Sequence, residues 1–160
     1  MTRERSALLG ALTAQRADVL RVLDGLSEDD LRRPVLPSGW TILGMVWHLA
    51  VDDERFWFRG IVAGEPMDLA ETDGAAWQQA VSGMTARDVL ALYRREIEQA
   101  DAIVAATSLD AAPARWPAEL WPDWRLDDLR EVILHVVAET AVHAGHLQAA
   151  RELIDGRTFS

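Results

Sequence analysis

The stretch Glu139-Thr-Ala-Val-His143-Ala-Gly-His146 lies within a run, 126–154, that reads as one long helix. Residues at three- and four-residue spacing form a mostly apolar stripe along one side of this helix. They are Leu129, Val132, Ile133, Val136, Thr140, Leu147 and Ile154. Glu139 and His143 are one turn apart, at about 100° per residue, so their side chains share a face that leans toward the stripe.

A carboxylate and an imidazole beside a buried face indicate one of two arrangements. They are either a paired polar cluster in the core or two ligands of one metal ion. His135 and His146 project further out on the flank of the same helix. The metal interpretation requires a third ligand from elsewhere in the chain.

Three other segments have the periodicity of long amphipathic helices: 3–24, a segment from about 40 to 62, and 86–107. Ser27-Glu-Asp-Asp30 and Thr85-Ala-Arg-Asp88 resemble capping boxes, and the first predicts a short helical turn. His48 lies at the edge of the apolar face of the second long segment, and Asp52 follows one turn later. A single histidine in that position is more often a hydrogen-bonded boundary residue than a ligand.

Two connecting segments are predicted to be irregular. Residues 64–84 read as a long loop with one helical turn around Trp77. Residues 108–125 contain three prolines and cannot be helical throughout. Their tryptophans, Trp116, Trp121 and Trp124, either plug one end of the fold or form a wall of a ligand pocket.

Four long amphipathic segments without a strand pattern predict an all-α fold, a four-helix bundle formed by one domain over 1–160. In the interior of such a bundle, His48 of the second long helix would meet Glu139 and His143 of the fourth.

The composition excludes several classes of function. The 160 residues carry a formal net charge of −10, which makes nucleic acid or an anionic membrane an unfavourable partner. No apolar run approaches the roughly 20 residues of a membrane span, and no signal peptide is apparent, so a cytoplasmic location is expected. The chain has no cysteine, which excludes disulfides and a protein thiol as nucleophile.

Two signatures resemble those of the DinB-like superfamily. Pro37-Ser-Gly-Trp40-Thr-Ile-Leu-Gly44, His48-Leu-Ala and Glu54-Arg-Phe-Trp-Phe58 resemble its second-helix signature. Glu139-Thr-Ala-Val-His143-Ala-Gly-His146, followed by Arg151-Glu-Leu-Ile-Asp-Gly156, resembles its fourth-helix signature. The chain is similar in particular to the actinobacterial DinB-like metalloenzymes that are related to mycothiol-dependent maleylpyruvate isomerase.

This resemblance implies an up-down-down-up bundle, a homodimer and a divalent metal held by His48, Glu139 and His143. Glu139 stands where many relatives have a histidine, and a glutamate also occurs there in the maleylpyruvate isomerase branch. Two histidines and a glutamate are typical of catalytic zinc, and they also accept Fe, Ni or Mn. His146 is expected beside the ligands or in the pocket.

The resemblance also implies an S-transferase in which the metal activates a low-molecular-weight thiol for attack on a small electrophile. Mycothiol is the thiol that the resemblance favours. The alternatives are a metal-dependent hydrolase, a thiol-dependent isomerase and a non-catalytic, stress-related helical dimer. Arg55, Arg59 and Arg151 are candidates for holding an anionic part of the thiol or substrate, although helical arginines are usually solvated.

Overall fold

The computed structural model describes residues 2–67 and 72–159, and all the regular structure in these two ranges is helical. This confirms the prediction of an all-α protein. The helices are α1 (Arg3–Leu23), α2 (Glu28–Leu31), α3 (Ile42–His48), α4 (Gly74–Val81), α5 (Ala86–Ala106) and α6 (Leu129–Asp155). A π-helical segment, Leu49–Val62, continues α3 without a break. No helix among the described residues is long and apolar enough to cross a membrane.

Side chains that accept a backbone N–H begin the helices. The caps of the six α-helices are Thr2, Ser27, Thr41, Asp73, Thr85 and Asp128. Thr85 and Asp88 form the predicted capping box. At the other end of the chain, Gly156 adopts φ 77° and stops α6, a conformation that suits glycine.

The π-helical segment lies at the centre of the packing. It contacts α5 and α6, and α1 packs against α6. One apolar cluster joins α1, α3, α5 and the end of α6. A second cluster joins the π-helical segment to the start of α6 and to the tryptophans of the 108–125 connection. The segment therefore carries side chains into the interior, where several helices meet.

The predicted helix from about 40 to 62 begins as expected, after Thr41, but it changes type after His48. A π-helix is hydrogen-bonded from residue i to i+5, as in the Ala63 N–H that donates to Phe58 at 2.9 Å. Residues five apart therefore come onto one side of the segment. In an α-helix the same pair would point about 140° apart.

The prediction of a long loop over 64–84 is also partly wrong. Gly74–Val81 forms a helix of eight residues instead of a single turn. Asp73 caps it, and Val81 is 2% exposed in the core, so packing stabilises this short helix. It approaches α3 closely at Gly44, where an added Cβ would lie 3.0 Å from Gln78 Nε2. Residues 68–71 of the predicted loop lie outside the described residues.

Candidate metal centre

His48 ends α3 with one ring nitrogen engaged and the other directed at α6. Its Nδ1 lies 2.7 Å from Asp52 Oδ2. Thr72 also donates to that oxygen, and Trp77 Nε1 donates to Thr72 Oγ1 at 2.8 Å. The Trp77 ring stacks on His48 with centroids 4.1 Å apart. Because a carboxylate accepts, Nδ1 carries the proton and Nε2 keeps its lone pair, as in metal-ligating histidines.

His143 presents its Nε2 to the same point. The two Nε2 atoms of His48 and His143 are 3.3 Å apart, and their rings are nearly perpendicular at 86°. Two imidazoles on one tetrahedral zinc ion, each at roughly 2.0–2.1 Å, would have their nitrogens about 3.3–3.4 Å apart. Burial, together with the charges of His48 and His146, lowers the pKa of His143 to about 4. His143 is therefore neutral at pH 7, as a ligand must be.

Asp53 supplies the third donor of the group that the structure brings together. One donor atom each from His48, Asp53 and His143 lies within 4.8 Å of the other two. Asp53 is 4% exposed, and its Oδ2 has no hydrogen-bond partner among the described residues. Burial raises the pKa of Asp53 well above its ordinary value, and the neighbouring carboxylates raise it further. A buried, unpaired carboxylate beside two imidazoles fits a divalent cation.

Glu139 lies at the edge of this group. Its Oε2 is 3.8 Å from His143 Nε2, and its side chain is 44% exposed. Glu139 is not one of the three residues whose donor atoms lie within 4.8 Å of one another. It lines the cavity that His48 and Asp53 also line. The two histidines of the predicted ligand set thus come together. Two carboxylates, those of Asp53 and Glu139, lie near enough to be candidates for the third ligand. The assignment of Glu139 as a ligand stays a prediction.

Sequence reasoning missed Asp53 because it read the second long helix with an α-helical period. On that period Asp53 points away from His48, and only the i+5 spacing of the π-helical segment brings the two to one side. A signal was present in the run Asp52-Asp53-Glu54, which interrupts an otherwise apolar helix. Three acidic residues in the middle of a buried segment indicate a polar site in the core.

A cavity of about 260 Å³ opens beside the three donors. The polar residues of its lining are His48, Asp52, Asp53, Thr72 and Glu139. The aromatic residues of its lining are Phe56, Trp57, Trp121 and His135. The cavity therefore joins the candidate ligands to an aromatic wall, which is the composition of a small-molecule site.

The tryptophans of the 108–125 connection meet Trp57 at this wall. Trp57 and Trp121 are almost parallel, with an angle of 8° and centroids 5.6 Å apart. Trp116 and Trp124 pack around them and line a second cavity with Trp121. The cluster packs on the second core cluster and Trp121 also lines the cavity, and a role of these tryptophans in ligand binding stays a prediction.

The remaining candidate residues lie apart from the cavity lining. His146 is exposed, with its ring 5.8 Å from that of His143. Arg55 and Arg59 bind the buried Glu96 at 2.8 and 3.0 Å. Arg151 is buried near the end of α1, where it donates to main-chain oxygens. None of the three arginines lines the cavity, so the structure does not support them as anion contacts there.

Comparison with known families gives a match. A family model described as Mycothiol-S-transferase matches residues 7–156, which include every residue of the candidate centre. None of the curated proteins matches the chain. The match covers nearly the whole sequence, and the chain therefore belongs to the mycothiol S-transferase family, a DinB-like family of actinobacterial mycothiol enzymes.

Proposed function

We propose that this protein is a metal-dependent S-transferase that joins mycothiol to a small electrophile. The observation that carries the proposal is the pair of Nε2 atoms 3.3 Å apart beside an unpaired buried carboxylate, at one side of an open cavity. The family match supports mycothiol as the thiol. Because the chain has no cysteine, the reacting sulfur must come from a cosubstrate.

We propose that His48, Glu139 and His143 hold the ion, with Asp53 as a further donor. Zn²⁺ is expected, and Fe, Ni or Mn would suit the same donors. A divalent ion there would lower the pKa of a coordinated thiol and favour the thiolate at neutral pH. Asp52 holds the ring of His48 in the tautomer that leaves Nε2 free.

In the transfer, the sulfur forms a bond to the electrophilic carbon while the leaving group departs with its electron pair. The thiol proton passes to solvent, which reaches the cavity past the half-exposed Glu139. The aromatic residues of the lining would give the electrophile an apolar surface.

The test measures conjugation and metal content together. We expect the metal-loaded protein to consume mycothiol with an electrophile, and the chelated protein to lose this activity. A His48→Ala variant should lose both metal and activity, whereas Asp18→Asn, on the exposed face of α1, should keep both.

Other outcomes would select the alternatives. Turnover of an ester without thiol would indicate a hydrolase, and thiol-dependent rearrangement without net thiol consumption would indicate an isomerase. Absence of any reaction, with a large loss of stability on chelation, would indicate a structural metal.

We further propose that the four long helices form one up-down-down-up bundle over 1–160 and that two chains associate as a homodimer. The packing of α1 on α6 and of α5 on the π-helical segment supports the bundle. A cytoplasmic location would suit this chemistry, since thiols stay reduced there.

A further inference from the structure

Among the described residues, the ionisable side chains that line the cavity include several carboxylates and no arginine. Asp52, Asp53 and Glu139 contribute carboxylates to its lining, and no arginine lines it within residues 2–67 and 72–159. The chain has no lysine that could reach it. Three carboxylates exceed the two positive charges of a divalent ion, and a bound thiolate adds a fourth negative charge. An anionic electrophile would therefore approach a negative site.

The other residues that line the cavity, Phe56, Trp57, Trp121 and His135, are aromatic. Trp57, which is 4% exposed, stacks on Trp121 with centroids 5.6 Å apart, and the ring of Phe56 meets that of Trp121 at 72°. His135 meets Trp57 edge-on, with centroids 4.4 Å apart. Burial lowers the pKa of His135, so it adds no positive charge at pH 7. Aromatic faces attract flat apolar groups and cations.

We infer that the electrophile of this protein is an uncharged or cationic molecule with a flat apolar body, and that the pocket rejects anionic electrophiles. This inference rests on the proposed function and names its substrate class. The sulfur would react beside His48 and Asp53, while the body of the electrophile lies against Phe56 and Trp121. The cavity of about 260 Å³ has room for one small ring system, so the sugar part of mycothiol would lie outside it.

A matched series of electrophiles tests the charge preference. Benzyl chloride, 4-(chloromethyl)benzoate and 4-(trimethylammonio)benzyl chloride share the carbon that sulfur attacks and the chloride that leaves with the electron pair. We expect kcat/KM, divided by the uncatalysed rate with the same thiol, to be at least about tenfold lower for the benzoate. Equal or faster turnover of the benzoate would overturn the inference.

A binding experiment separates this inference from the proposed function. Benzyl alcohol, 4-methylbenzoate and benzyltrimethylammonium cannot react, and tryptophan fluorescence of the metal-loaded protein reports their binding. We expect 4-methylbenzoate to bind most weakly of the three. That order would support the pocket preference even if no thiol were transferred, and the reverse order would overturn it even for an active enzyme.

Variants at two lining positions, Trp121 and His135, locate the preference in the cavity. Trp121→Ala should weaken binding of the two favoured ligands, Trp121→Phe should retain most of it, and Trp47→Phe, in the other core cluster, should leave it unchanged. His135→Arg places a cation in the lining and should narrow the difference between the benzoate and benzyl chloride. A folded His135→Arg protein with the wild-type charge preference would contradict the inference.

Discussion

At the scale of single residues, the site depends on how each polar atom is paired. His48 has a partner for Nδ1 and offers Nε2, whereas the buried Nδ1 of His143 and Oδ2 of Asp53 have no hydrogen-bond partner among the described residues. Unpaired buried groups cost free energy unless a ligand compensates them, and an ion between the two Nε2 atoms would compensate Oδ2 of Asp53 but not Nδ1 of His143. The centre is therefore expected to gain stability when an ion binds.

The third ligand can be identified by changing the two carboxylates separately and together. We expect Asp53→Asn and Glu139→Gln each to weaken metal binding by at least about tenfold, and the double variant to lose stoichiometric metal. Competition titration with a metal indicator measures the affinity, and Glu98→Gln, which lies away from the centre, is the control. A single variant with wild-type affinity would remove that residue from the ligand set.

The chelated protein should have a pH dependence that comes from His143. Its pKa is about 4 in the folded state and 6.5 in the reference state, so the unfolded chain binds more protons between these values. The resulting contribution to stability, up to about 3 kcal/mol, is present above pH 6.5 and is lost as the pH falls toward 4.

Urea unfolding from pH 4 to 7 measures this effect as the difference between wild type and His143→Gln. We expect the variant to lose less stability than wild type on acidification. Parallel curves for the two proteins would contradict a lowered pKa. Asp53 acts in the opposite direction, since its raised pKa favours the folded state at low pH.

At the scale of elements, the π-helical segment is held by a buried ion pair. Arg16 of α1 donates to both oxygens of Glu54 at 2.6 Å and to Asp101 at 2.7 Å. Arg16 and Glu54 are 4% and 1% exposed. Because Glu54 follows Asp53 directly, this pair also fixes the carboxylate that faces the two histidines.

Removal of one member of the pair should destabilise the fold and the site together. We expect Arg16→Met to cost about 3–5 kcal/mol, because it leaves Glu54 buried without its cation. The double change Arg16→Met with Glu54→Leu should recover most of that loss. Arg21→Met, which breaks an exposed pair with Asp18, should cost under about 1 kcal/mol. Chemical denaturation measures the free energy of unfolding of all three proteins. Equal losses of stability in Arg16→Met and Arg21→Met would contradict this role of the buried ion pair.

The elements differ in how well their sequence predicts them. α1, α5 and α6 begin within three residues of their predicted starts, because caps and apolar periodicity act locally. The sequence does not predict α4 in full, because this helix is short and depends on packing against α3. The π-helical segment was not predicted, because periodicity was read at the α-helical value. The pairing of His48 with His143 followed from the helix faces, whereas Asp53 required the π turn.

At the scale of the whole molecule, the outer face of α6 carries large apolar side chains in water. Leu134, Val142 and Leu153 are 51%, 55% and 60% exposed. Alanines and Gly145 lie between them on this face, which would let a second helix approach closely. We therefore expect the homodimer to form through α6.

Light scattering after size exclusion should give the mass of two chains at micromolar concentration. The double variant Leu134→Glu with Val142→Glu should give one chain, because it buries two negative charges against their copies. Leu120→Glu, at an exposed site outside α6, should leave the mass unchanged. A dimeric double variant would place the interface elsewhere.

The π-helical segment also has a consequence for how this centre can change during evolution. A π turn holds its partner one position further along than an α turn does, so His48 and Asp53 are separated by one residue more than an α-helical pair on one face. A relative that builds the same arrangement on an ordinary α-helix would need a deletion of one residue here, and its alignment to this chain should show a gap between the two positions. The geometry of the site thus depends partly on the number of residues between His48 and Asp53. Point substitutions do not alter this number, whereas single insertions or deletions do.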